Sequence, residues 1–131
     1  DCRALAEIAD DIEQLPVPVV IDHMGGFDAK SGVDDPGFRA LLRLLERGKV
    51  WVKLCAYRNL LGERDWEVGR VFQQKMVAAN LERLVWGSDW PHLRVTPAPD
   101  AVQLLDMFMD WAGTDDIVRQ VLTVNPAQLY R

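Results

Sequence analysis

Leu84-Val85-Trp86-Gly87-Ser88-Asp89-Trp90-Pro91-His92 is the stretch on which the fold turns. It opens with three apolar residues, breaks at a glycine, and places an aspartate just beyond the break. A short apolar run closed by turn residues reads as a strand covered on both faces, the kind found in parallel sheets. Upstream, Val50-Trp51-Val52-Lys53-Leu54-Cys55 has the same form. So does Val17-Pro18-Val19-Val20-Ile21, with Pro18 near its start and Gly25 and Gly26 opening the loop behind it. The three runs start near 17, 50 and 84, so they are spaced by 33 and 34 residues. That is the length of a strand plus a returning helix, which predicts a parallel α/β fold. The units share no sequence identity, so the repeat is one of architecture.

The segments between the runs carry the helical half of the pattern. Leu5, Ile8, Ala9 and Ile12 recur at spacings of three and four, which predicts an amphipathic helix over 4–14 that Pro16 ends. Asp35-Pro36 reads as an N-cap with proline at the first helical position, and the helix runs through Phe38, Leu41, Leu42 and Leu45 to Gly48. A third helix is expected from near Asp65, carrying Val68, Val71, Phe72 and Met76. A fourth is expected over 100–112, with Val102, Leu105 and Phe108 on one face. Asp115 or Asp116 reads as the cap of a short helix through Val121, and Asn125-Pro126 as a cap-plus-proline signal for a last turn.

Composition narrows the function classes. With 131 residues, 49% of them hydrophobic and 27% charged, the chain has enough apolar material for one domain. The net charge of −5 speaks against nucleic-acid binding, which needs a basic stripe to displace counterions. It leaves room for a small anionic substrate gripped by a local arginine. No run approaches the roughly 20 apolar residues of a membrane span. Cys2 and Cys55 lack metal-type spacing and form no disulfide framework, so a reducing, cytoplasmic compartment is expected. The first ten residues look helical and acidic, unlike a signal peptide, and the absence of an initiator Met suggests that something upstream is missing.

In parallel α/β folds the chemistry gathers at the carboxyl ends of strands. Three segments qualify: Asp22-His23-Met24-Gly25-Gly26, Lys53-Leu54-Cys55-Ala56-Tyr57-Arg58 and Gly87-Ser88-Asp89-Trp90-Pro91-His92. Strand alternation groups Val19, Ile21 and His23 on one face and Val85, Gly87 and Asp89 on one face. If those faces line a common interior, His23 and Asp89 both point into its mouth, Gly87 leaves room beneath Asp89, and Trp86 faces the helices. The pair would then serve either as an acid–base couple or as two zinc ligands. His92 is a third-ligand candidate only by proximity. Lys53 reads as a residue that snorkels or pairs with a carboxylate. Tyr57 and Trp90 are placed to wall a pocket, whereas Trp51, Trp86 and Trp111 read as core.

Four segments together resemble the amidohydrolase superfamily: Val19-Val20-Ile21-Asp22-His23-Met24-Gly25; Val50-Trp51-Val52-Lys53-Leu54 with Tyr57-Arg58; Trp86-Gly87-Ser88-Asp89-Trp90-Pro91-His92; and Asn125-Pro126-Ala127-Gln128-Leu129-Tyr130. The likeness covers nearly the whole chain and is nearest to the branch containing 2-pyrone-4,6-dicarboxylate lactonases. It implies a TIM-type (β/α)8 barrel, of which residues 1–131 would be the C-terminal portion, about three βα units, of a single domain. It further implies a hydrolase of a carboxylate-bearing lactone, in which Asp89 activates water, His23 polarises the carbonyl, and Arg58 grips the substrate carboxylate, a task that suits a planar guanidinium. Two features depart from the family pattern. The H-x-H pair of a first strand is absent, since His23 and His92 are the only histidines, and Gly26 stands where relatives often carry arginine after H-M-G. The cofactor stays open at this level: none for a lactonase, zinc or another divalent ion for a metal-dependent amidohydrolase or decarboxylase of the same superfamily. A non-catalytic barrel fragment is a further alternative. Three strands leave two open sheet edges that invite pairing, so a homo-oligomer is also among the expectations.

Overall fold

The computed structural model describes residues 2–130. Strands and helices alternate along the chain. Helix α1 (Cys2–Gln14) leads to strand β1 (Val19–Ile21), α2 (Pro36–Glu46) to β2 (Val50–Leu54), and α3 (Arg70–Asn80) to β3 (Leu84–Trp86). Helices α4 (Ala101–Ala112), α5 (Asp115–Arg119) and α6 (Asn125–Leu129) follow, the last two joined by a π-helical turn over Gln120–Val124. The sheet has the order β1-β2-β3 and is parallel throughout. Val19 pairs with Val50, and Val52 with Leu84. The fold is therefore mixed α/β around a three-stranded parallel sheet, as the spacing of the apolar runs predicts.

One face of the sheet meets the helices. Val50, Val52, Leu54 and Leu84 are buried in a single cluster with Phe38, Leu41 and Leu45 of α2, Phe72 and Met76 of α3, and Phe108 of α4. Val19, Ile21 and Trp86 pack against that cluster. The opposite face, by alternation, carries Val20, Trp51, Lys53, Val85 and Gly87, and Val20 is exposed there. The guanidinium of Arg83 stands 4.8 Å over the Trp51 ring, which shields an indole that lies outside the helix-side core.

Local chemistry fixes the helix ends. The Asp35 carboxylate accepts hydrogen bonds from Gly37 N–H (2.9 Å) and Phe38 N–H (3.0 Å), with Pro36 at the first turn. Helix α2 stops where Gly48 turns left-handed at φ 67°, its N–H donating to the Leu45 carbonyl. The α1–α2 contact is close enough that a Cβ on Gly37 would fall 1.7 Å from the Cys2 carbonyl oxygen.

Several expectations are corrected. Residues Trp66–Gly69 form a 3-10 turn, capped by Asp65, before α3 begins, and that turn rotates Val68 and Val71 to the surface while Phe72 and Met76 stay buried. On α4 the buried face is Leu104, Phe108, Trp111 and Ala112, and Val102 is exposed. The cap of α5 is Thr114, whose hydroxyl accepts from Ile117 N–H, with Asp115 and Asp116 in the first turn. Asn125 caps nothing. It is fully buried in a continuous helical run, and its amide donates to the carbonyls of Leu81 (2.8 Å) and Leu84 (2.6 Å) while accepting from Gln120 Nε2 (2.7 Å). Its task is to tie the C-terminal helices to the start of β3.

Candidate active site

Asp89 is the centre of the site. It lies three residues beyond β3 in the left-handed region, at φ 62°, a conformation that costs a side-chain-bearing residue energy and marks positions where function overrides local preference. Its carboxylate is met by groups from the other two strands and their ends. The Tyr57 hydroxyl donates to Oδ2 at 3.0 Å, and Arg58 Nε donates to the same oxygen. His23 Nε2 stands 3.1 Å from Oδ1, and Lys53 Nζ stands 3.8 Å from Oδ1.

Each partner arrives by its own local route. Tyr57 and Arg58 sit on the 3-10 turn Tyr57–Leu60 behind β2. Tyr57 is fully buried, so its ring is part of the structure and its hydroxyl serves Asp89. Arg58 keeps one side toward the cleft and donates from Nη1 to the Leu93 carbonyl at 3.2 Å. Lys53, within β2, reaches along the face opposite the helices and pairs with Asp22 at 2.9 Å.

His23 arrives by a path that alternation does not foresee. Val19 and Ile21 face the helices, so continued alternation would send His23 there too, and the expected shared interior face of Val19, Ile21 and His23 is corrected. The strand ends at Ile21, and His23 and Met24 take left-handed angles (φ 50° and 52°), followed by Gly25 and Gly26 at φ 73° and 67°. This turn swings the imidazole round to Asp89. Asn59 secures it by donating from Nδ2 to the His23 carbonyl at 2.8 Å. Gly25 is required twice over, by its positive φ and because a Cβ there would lie 2.7 Å from Leu41 Cδ2. His23 Nε2 is buried and within ion-pair distance of Asp89, yet it is not aligned for a hydrogen bond.

The electrostatics follow from this packing. Burial pushes the Asp89 carboxyl upward, but the hydrogen bond from Arg58, the adjacent His23 imidazole and the hydrogen bond from Tyr57 outweigh it and hold the group well below the usual carboxylate range. Burial, and then the hydrogen bond to Asp89, pushes the Tyr57 phenol up to about 12. Burial alone would lower the Lys53 ammonium; its hydrogen bond to Asp22 and the charges of Asp22 and Asp89 raise it instead. Burial and the nearby Asp89 charge push the Cys55 thiol up to about 12, which leaves it an inert hydrophobe. An open cleft of about 660 Å³ adjoins the centre, lined among others by Ile21, Asp22, His23, Phe27, Arg58 and Asn59.

Of the residues singled out in the sequence, His23, Tyr57, Arg58 and Asp89 converge. His92 is buried, with Nδ1 3.3 Å from the Tyr57 hydroxyl and its ring edge-on to the tyrosine, so it stands behind Tyr57 and not on the carboxylate. Trp90 is 78% exposed and lines no part of the cleft. Asn59 escaped the sequence reading, whereas the expected pairing of Lys53 with a carboxylate is found, and only the identity of its nearer partner, Asp22, was not foreseen. A polar residue two places past Tyr57 and a lysine inside an apolar strand were the available signals. A divalent ion does not suit the residues present. Two cationic side chains already flank Asp89, and among the described residues no three His, Cys, Asp or Glu side chains are grouped to hold a metal.

The chain is similar to several known proteins. The chain is 30% identical over 132 residues to a 4-sulfomuconolactone hydrolase of Hydrogenophaga intermedia, covering 98% of this chain and 44% of that protein. It is 34% identical to a 2-pyrone-4,6-dicarboxylate hydrolase of Comamonas testosteroni, covering 96% of this chain and 45% of that one. A solved structure from Acinetobacter baumannii with citric acid bound superposes with a TM-score of 0.83 at 25% identity, over 98% of this chain and 49% of that one. The chain thus spans less than half the length of the curated relatives it matches. The amidohydrolase family pattern matches residues 2–131, and the chain belongs to the amidohydrolase family.

Proposed function

We propose that residues 1–131 form the later part of a single TIM-type barrel domain and carry part of the active site of a lactone hydrolase whose substrate bears a carboxylate. The observation that carries this reading is the convergence of His23 from behind β1 and of Tyr57 and Arg58 from behind β2 on Asp89 behind β3. The names of the relatives, which are lactone and pyrone hydrolases, support it.

Asp89 takes the proton of the attacking water, and His23 polarises the carbonyl as negative charge develops on its oxygen. Arg58 binds the substrate carboxylate, and Tyr57 holds Asp89 in place at the substrate's edge. A carboxylate held so far below its usual range is a weak base. Arg58 resolves this, because the same guanidinium serves both Asp89 and the substrate. When a substrate carboxylate draws Arg58 away, Asp89 loses a strong hydrogen bond and gains basicity. The base is therefore strengthened only when substrate is present.

The test is lactone hydrolysis by the longest polypeptide that carries this chain, measured with and without Asp89→Asn. The variant is expected to lose about 10²-fold or more in kcat. Equal rates would overturn the assignment of Asp89, and no hydrolysis of any carboxylated lactone by the unmodified enzyme would overturn the reaction class.

A further inference from the structure

Lys53 is a charged residue inside a strand whose other members, Val50, Trp51, Val52 and Leu54, are all apolar and buried. A lysine in such a place needs an occupation, since burying an ammonium without partners is costly. Its partners are the first acidic residues beyond the two neighbouring strands: Asp22 behind β1, at 2.9 Å, and Asp89 behind β3, at 3.8 Å. The central strand thus sends one ammonium to a point between the loops of both flanking strands. The path is kept clear by Gly87, which lies two residues beyond Val85, the register partner of Lys53 on β3. A Cβ at Gly87 would lie 3.1 Å from Lys53 Cδ and 3.6 Å from Cγ, so the lysine stem occupies the space that a larger residue would take. The room beneath Asp89 that the glycine provides is therefore filled by Lys53.

From this arrangement we infer that Lys53 is a positioning residue: its ammonium ties the Asp22 and Asp89 loops to the central strand and fixes the Asp89 carboxylate for its reaction, with Gly87 as the residue that lets the stem pass. The inference rests on the reading of Asp89 as the base. Lys53 is not among the residues lining the cleft, so it acts through Asp89 and not on the substrate. Two other groups that approach the carboxylate are already accounted for. Arg58 approaches Oδ2 from the cleft side, and His23 approaches Oδ1 from the β1 turn. Lys53 alone among the described cations bridges two carboxylates from different strand ends. A left-handed Asp89 would relax toward commoner angles if released, and the tether from below opposes that.

Two measurements test it. The first needs no activity. In the 1H–15N spectrum of lysine ammonium groups, taken cold and at mildly acidic pH, the signal lost in Lys53→Met identifies Lys53. That signal is expected to move in Asp22→Asn, in Asp89→Asn and in Gly87→Ala, the last because the new methyl presses on the stem. A signal that ignores Asp89→Asn overturns the tether, and one that ignores Gly87→Ala overturns the role of the glycine. The second uses the enzyme. Lys53→Met keeps the stem over Gly87 and removes only the charge, so folding is retained. It is expected to lower kcat about tenfold or more while KM changes less than about twofold. A raised KM with kcat preserved overturns the positioning role in favour of substrate binding. Should the unmodified enzyme hydrolyse no carboxylated lactone, the proposed reaction fails, and the ammonium spectrum still decides whether Lys53 holds Asp89.

Discussion

Replacing Asn125 with alanine is expected to cost about 3 kcal/mol of stability, and the figure follows from its bonds. The amide is fully buried and donates to two main-chain carbonyls, Leu81 at 2.8 Å and Leu84 at 2.6 Å, while accepting from Gln120 at 2.7 Å. A buried polar group that loses its partner costs about 1–3 kcal/mol, and alanine withdraws a donor from each of two carbonyls and an acceptor from Gln120. Some of these groups find other partners, which brings the sum to about 3 kcal/mol. With a urea dependence of about 1.5 kcal/mol per molar, the unfolding midpoint falls by about 2 M with an unchanged slope. Asn125→Asp sharpens the test. It keeps the shape but turns a double donor into an acceptor facing two carbonyl oxygens, so it must destabilise more than alanine does. A loss below about 1 kcal/mol for Asn125→Ala, or an Asp variant more stable than the Ala variant, would refute the reasoning. The consequence reaches the site, because Leu84 begins the strand that delivers Asp89.

Three further outcomes are expected. Gly37→Ala drives a methyl into the Cys2 backbone across the α1–α2 contact and should destabilise the chain by about 3 kcal/mol or more, read from the same urea curves; a neutral change would disprove the close approach. Asp89 has a folded-state pKa below its ordinary value of 3.8, so its contribution to stability is present above that value and is lost as pH falls through the lower, folded one. The stability gap between the native chain and Asp89→Asn should therefore narrow on acidification below about pH 4, and a gap that widens there would contradict the sign. Cys2 and Cys55 are both buried, and burial, aided by Asp35 and Asp89 respectively, pushes their thiols up to about 11 and about 12. A thiol reagent should titrate neither in the folded protein and both in urea, and rapid labelling of Cys55 in the native state would show that its pocket opens.

The sequence made some of this legible and hid the rest for identifiable reasons. Strand β3 could be read to the residue because Gly87 breaks the apolar run sharply, and the cap of α2 could be read because aspartate followed by proline carries its own geometry. The face of α4 was misjudged because Val102 and Leu104 both fit an apolar pattern, and only contact with α3 decides between them. Asn125 misled for a similar reason. The pair Asn-Pro is a sound cap signal, but a buried bridge between β3 and the C-terminal helices outweighs it. At the site, His23 was found by its place after a strand, although the alternation argument used to orient it fails. The left-handed turn from His23 to Gly26 reorients the imidazole, and no periodicity encodes a turn of that kind. Tyr57 was expected to wall a pocket, and it does line a cavity with Leu61, Trp66 and Val95, but residue type gave no sign that its hydroxyl also serves Asp89. Lys53 was marked as a residue that would snorkel or pair, but its two partners lie about 31 and 36 residues away in sequence and meet only through the parallel register.

Trp90 now takes on a different use. Of the five tryptophans, all within the described residues, it is the exposed one, while Trp51 and Trp111 are buried and Trp66 and Trp86 are half-buried. Trp90 is joined to Asp89 by a single peptide bond. Water-exposed indoles emit at longer wavelength and meet dissolved quenchers more often than enclosed ones. The red edge of the chain's fluorescence therefore reports mainly from the residue beside the carboxylate. Iodide and acrylamide should extinguish that component first, and a ligand that settles near Asp89 announces itself as a change in the fraction they can reach. The protein carries its own optical probe, one peptide bond from the proposed base.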